Sequence, residues 1–156
     1  MGRRNSFKVP ELTEASKSYI AKDEAKRAQM DERVAVLKKL FENNIVAYAE
    51  FCFPHHCTKA TPGFHKELYK LYTDFSLKKV AVAAPRGHAK STITNLIFLS
   101  WIVAYNKAHF IFIISNTLKQ STLHLETLKS ELAYNDNFKM LYGSLNSYSQ
   151  KSGGTF

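Results

Sequence analysis

One stretch constrains the fold of this chain more than any other: Ala84-Pro85-Arg86-Gly87-His88-Ala89-Lys90-Ser91-Thr92. A short apolar run, Lys79 to Ala83, precedes it, and an apolar helical pattern, Ile93 to Tyr105, follows. A loop of small residues between such segments turns the chain sharply from a strand into a helix. The next segment, His109-Phe110-Ile111-Phe112-Ile113-Ile114, is almost unbroken in its β-branched and aromatic residues. Such a run fits a strand buried on both faces, as in a parallel sheet. Thr117 to Ala133 then reads as a helix with Leu118, Leu125, Leu128 and Leu132 inward, and Asp136 to Tyr142 as a shorter one ending at Gly143. Strand, helix, strand, helix is the opening of a doubly wound α/β domain.

The upstream half reads as helical. Glu11 to Met30 is charged and Ala-rich, which suits an exposed helix. Beyond Asp31, a candidate cap, Leu37, Leu40, Phe41, Tyr48 and Phe51 fall near the spacing of one helical face, and Pro54 limits its end. Thr61-Pro62-Gly63 is a turn, and the short helix after it carries Leu68, Leu71, Tyr72 and Phe75. Met1 to about Pro10 is polar. Three parts result: 1–30, a polar and helical arm; 31–143, the main body; 144–156, a Ser/Gly-rich loop or frayed tail.

The loop specifies a ligand. Aligned on Lys90-Ser91, the pattern G-x-x-x-x-G-K-[ST] places Ala84 and Ala89 at its two glycine positions, so the strict form fails. The physics asks only that backbone N–H groups approach phosphates closely, and small side chains permit that. Lys90 would reach the β/γ-phosphates, Ser91 would ligate Mg²⁺, and Thr92 is the next hydroxyl. The positive end of the following helix would face the phosphates. The whole stretch Ala84, Pro85, Arg86, Gly87, His88, Ala89, Lys90, Ser91 and Thr92 is thus a candidate ATP–Mg²⁺ site. The expected fold class is α/β: an incomplete P-loop NTPase parallel sheet preceded by N-terminal helices. Two strands are too few to finish such a sheet.

Pro85-Arg86-Gly87-His88-Ala89-Lys90-Ser91 resembles the deviant Walker A motif of the large terminase subunit of tailed bacteriophages. Phe51-Cys52-Phe53-Pro54 followed by Pro62-Gly63-Phe64-His65-Lys66-Glu67-Leu68 is similar to the segment before the motor core of that family, and Ser115-Asn116-Thr117 with Gln120 resembles its next motif. The resemblance covers Phe41 to Gly143 and is most specific in the loop. It implies an ATP-driven motor that packages double-stranded DNA, with Lys90 and Arg86 acting on the triphosphate. It also implies a ring of identical subunits on a capsid portal, a small terminase subunit, and a two-Mg²⁺ nuclease domain. The host cytoplasm is the implied location.

Departures from that pattern matter as much. After Ile114 no apolar strand ends in the Asp-Glu pair that would hold Mg²⁺ and polarise water. The acidic residues there are Glu126, Glu131 and Asp136, all in helical or turn patterns. The nuclease carboxylates are missing too. The expectation is an N-terminal fragment, or one half of a split protein, that binds ATP weakly and does not turn it over alone. A second chain would complete the domain. Two alternatives stand beside this reading: a helicase-like nucleic-acid ATPase, and a truncated, non-catalytic binding or regulatory module.

Other features carry paired readings. The formal net charge of +9, from 22 Lys+Arg against 13 Asp+Glu, suits a polyanion such as DNA or simply a solvated basic surface. Cys52, His55, His56 and Cys57, with His65, have zinc-ligand chemistry but not a recognised spacing; the alternative is a core cysteine and loop histidines. Phe64 and His65 either approach an adenine or pack in the core. Ser115 to Thr117 either touch DNA phosphates or cap a helix. Trp101, Tyr69 and Tyr72 read as packing. No apolar run reaches the ~18 residues of a membrane span, and no secretory leader is visible. The chain therefore reads as soluble and cytoplasmic. Gly2 and Ser6 match a myristoylation pattern that Arg3 and Arg4 argue against.

Overall fold

A computed structural model describes residues 13–143. The polar stretch to Pro10 and the tail 144–156 lie outside the described residues. The chain divides into two compact units, Met1–Val36 and Leu37–Phe156.

Helix α1 spans Glu14–Asn43. Thr13 Oγ1 accepts a hydrogen bond from the Ser16 N–H at 3.3 Å, closing the first turn. Pairs Lys17–Glu14 (2.8 Å) and Arg27–Asp23 (2.9 Å) line the exposed surface. The helix runs through Asp31, so Asp31 does not cap it.

The break comes at Asn44, whose Oδ1 accepts from Ala47 N at 3.1 Å and starts α2, Ile45–Cys52. Helix α3, Gly63–Thr73, follows Pro62, which is extended rather than part of the expected Thr61-Pro62-Gly63 turn. Helix α4 (Lys90–Thr92), a π-helical stretch (Ile93–Phe98) and α5 (Leu99–Ala104) run on without a gap. Thr94 Oγ1 donates to the Lys90 carbonyl at 2.8 Å, a side-chain bond that competes with the regular ladder where it widens. Helices α6 (Leu118–Tyr134) and α7 (Asp136–Tyr142) complete the order. Thr117 and Asn135 cap them through their side chains, and Gly143, at φ 79°, ends the last.

The core of the second unit packs α2 and α3 against the π stretch and α5, with α6 and α7 closing over them. Phe41, Tyr48, Phe53, Leu68, Ile97 and Phe138 are among its buried side chains. Among the described residues, every buried side-chain nitrogen and oxygen has a hydrogen-bond partner. Tyr48 Oη donates to Ser100 Oγ (3.0 Å), which donates to the Ile97 carbonyl (2.8 Å), and Trp101 Nε1 donates to the Phe41 carbonyl (3.0 Å).

The expected α/β fold with a parallel sheet is not what forms. All regular structure among the described residues is helical. Residues 79–85 and 108–116 are extended or turning, and no backbone hydrogen bond among the described residues joins them to a neighbour. A strand exists only where a second chain segment takes its N–H and C=O groups, and apolar character does not supply one. The run after His109 keeps the period-two alternation of extended chain. Ile111 and Ile113 turn toward Val103, Leu125 and Leu128, while Phe110, Phe112 and Ile114 are 84%, 85% and 91% exposed. Helices cover one face of it, not two.

Candidate functional site

Local sequence sets the shape of the loop from Ala84 to Thr92. Pro85 holds the chain extended, and the turn at Arg86-Gly87 is possible because Gly87 takes φ 85° at no steric cost. Ala89 is also left-handed, at φ 52° and ψ 18°, which is unusual for a residue with a Cβ. Helix α4 starts on the next residue. Ala89 offers no side-chain cap, so the N–H groups of the first turn have no side-chain acceptor.

Helix α3 braces the loop. His65 Nε2 donates to the His88 carbonyl at 3.1 Å, and the Phe64 ring meets the His88 ring edge-on at 6.0 Å. Phe64 and His65 therefore touch the loop itself and are half-buried rather than deep in the core. Tyr72 Oη lies 2.7 Å from Thr94 Oγ1, pinning the helix behind the loop to α3. Arg86, His88 and Ser91 are exposed; Lys90 and Thr92 are half-buried.

A cavity of about 360 Å³ opens between this loop, α3 and the segment before Pro62. Gly87, Ala89, Thr92, His65, Tyr69 and Lys59 are among the residues that line it. Its size is at the lower end of the about 300–1,000 Å³ typical of small-molecule sites. A smaller space of about 110 Å³ lies beside Ser91 and Thr92, against Asn95, His124 and Thr127. Neither lining contains a carboxylate. Glu126 pairs with Lys129 at 3.1 Å, Asp136 with Lys139 at 2.9 Å, and Glu131 with His55 at 3.0 Å. The arrangement can receive an anion; among the described residues neither cavity offers an acidic group beside Ser91 to share a metal or orient water.

The other sequence candidates separate. Thr117 Oγ1 accepts from Gln120 N at 3.3 Å, the capping role. Trp101 and Tyr69 are buried in the core. Cys52 is fully buried, and burial pushes its thiol up to about 12. Cys57 is half-buried, with its thiol raised first by burial and then by Glu50. His55 and His56 gather instead with Glu131, a residue that sequence spacing does not connect to them, since α6 begins far downstream. Desolvation, then the neighbouring His55, lowers the His56 imidazole, with Glu131 opposing.

Compared with protein-family models, curated proteins and solved structures, the chain returns no match. No helix among the described residues is long and apolar enough to cross a membrane.

Proposed function

We propose that the chain binds the phosphates of a nucleoside triphosphate, ATP with Mg²⁺, at the loop Ala84 to Thr92. The observation that carries this is the pair of left-handed residues, Gly87 and Ala89, set immediately before a helix start without a side-chain cap. That combination leaves backbone donors and the positive end of a helix for an anion. Lys90 adds a charge at the same point, Ser91 supplies the hydroxyl for Mg²⁺, and Arg86 reaches the outer phosphate from the turn. Together with the resemblance of this loop to terminase large subunits, the reading is the ATP-binding portion of a viral DNA-packaging motor. The net charge of +9 suits its double-stranded DNA track. In that setting a ring of subunits, the portal and the small terminase subunit are the partners, and the host cytoplasm is the place of action.

The carboxylate-free lining of both cavities favours binding without turnover by this chain alone. Hydrolysis needs an acidic residue to hold Mg²⁺ with Ser91 and position water, supplied from a further segment or a second subunit. The same observation supports the second reading, a non-catalytic binding or regulatory module.

Titration of a fluorescent ATP analogue tests the proposal. Saturable, Mg²⁺-dependent binding is expected, weakened about tenfold or more in Lys90→Ala, since a charge-assisted contact contributes about 1.5–3 kcal/mol. Equal binding by the folded variant overturns the assignment of the loop.

A further inference from the structure

We propose that His55, His56 and Glu131 form a binding site for a divalent transition metal ion of the zinc type. The three offer ligand atoms that all lie within 4.8 Å of one another. His55 Nε2 is 3.0 Å from Glu131 Oε1, and His56 Nε2 is 4.0 Å from the same oxygen. Ligands around a tetrahedral ion with bonds of about 2.0–2.1 Å sit about 3.3 Å apart, so the first pair is already at that separation and a side-chain rotation brings in the second imidazole.

Two imidazoles and one carboxylate, with an open fourth position, suit Zn²⁺ rather than a hard cation, which takes oxygen ligands. The two rings lie side by side with centroids 4.4 Å apart, both directed at one carboxylate oxygen. A single ion pair requires one imidazole; a metal uses both. The other carboxylate oxygen, Oε2, accepts from Asn135 Nδ2 at 2.9 Å, and the same nitrogen donates to the Cys52 carbonyl at 2.7 Å. That partner orients Glu131 and leaves Oε1 for the ion, as outer-sphere hydrogen bonds do in metal sites. A cleft of about 430 Å³, lined by His55, Glu131, Asn135 and Asp136 but not His56, opens beside the His55–Glu131 pair. The ion would tie the turn after α2 to α6, and His56 also lines the two cavities beside the phosphate loop.

Calorimetric titration of ZnCl₂ into the untagged, EDTA-dialysed chain, with Co²⁺ absorption as a second probe, tests this. One equivalent of Zn²⁺ is expected, and Co²⁺ should show the spectrum of nitrogen and oxygen ligation without a thiolate charge-transfer band. His55→Ala/His56→Ala should weaken binding about tenfold or more. His56→Gln leaves the His55–Glu131 bond in place and should weaken binding while the fold is retained; Zn²⁺ should raise the thermal midpoint of the parent chain more than that of this variant. No saturable binding by the parent chain, equal affinity in folded His56→Gln, or a thiolate band removed by Cys57→Ser overturns the proposal.

Discussion

Cys52 sits where burial controls its chemistry. Its sulfur is packed among the side chains of α2 and its neighbours, with no group nearby to stabilise a thiolate, so its pKa rises from an ordinary 9.0 to about 12. The consequence for stability has a definite sign. The folded state holds the proton more tightly than the unfolded chain, so the contribution is fully present below about pH 9 and is lost as pH rises toward 12. The buried Tyr48 hydroxyl, raised first by the same desolvation, acts in the same direction at higher pH. Stability in urea at pH 7 should therefore exceed that at pH 10.5, and Cys52→Ala should reduce that difference. At pH 8 iodoacetamide should label Cys57 before Cys52, which reacts only on unfolding; equal rates would contradict the burial argument. Cys52 was readable in the sequence as a small core residue. Glu131 as the partner of His55 was not, because a contact between residues 76 apart has no local signature.

At the scale of elements, caps fix where helices start. Asn44 caps α2 with one hydrogen bond, whereas Asn135 makes three: Oδ1 accepts from Phe138 N at 3.0 Å, and Nδ2 donates to Cys52 and Glu131. Asn44→Ala should cost about 1 kcal/mol, the usual value for a cap. Asn135→Ala should cost about 2–3 kcal/mol, because the tie to α2 is lost with the cap. Denaturant unfolding ranks the two, and an equal or reversed order would sink the argument. Helix α7 was legible from Asp136 to Gly143 because its start, its apolar residues and its glycine stop all agree. The continuity of α1 through Asp31 was not, because a possible cap residue is also tolerated inside an exposed helix. The two apolar runs expected as strands failed for a different reason: hydrophobicity states a demand for burial, but pairing depends on a partner segment that the pattern cannot name.

At the scale of the whole molecule, two surface properties oppose each other. The charge of +9 keeps molecules apart, while Phe110, Phe112 and Ile114 expose an apolar stripe beside backbone that makes no backbone hydrogen bond among the described residues. Phe112→Lys should lower self-association in sedimentation velocity at high salt while changing stability by no more than about 0.5 kcal/mol, the usual range for an exposed site. Unchanged association would mean that the stripe is not what molecules share. The stretch Ala84 to Thr92 was legible as a loop leading into a helix, but the helix starts at Lys90, three residues before the expected Ile93. Its left-handed Ala89 and its brace from His65 depend on tertiary placement and were not. Those two features give the loop its fixed shape, and the assignment of a phosphate site rests on that shape. The most direct measurement is the amide spectrum of the ¹⁵N-labelled chain during addition of Mg-ATP. The largest saturable shifts are expected at the N–H groups of Gly87, Ala89, Lys90 and Ser91, absent with adenosine; shifts centred elsewhere, or none, would contradict a phosphate site in this loop.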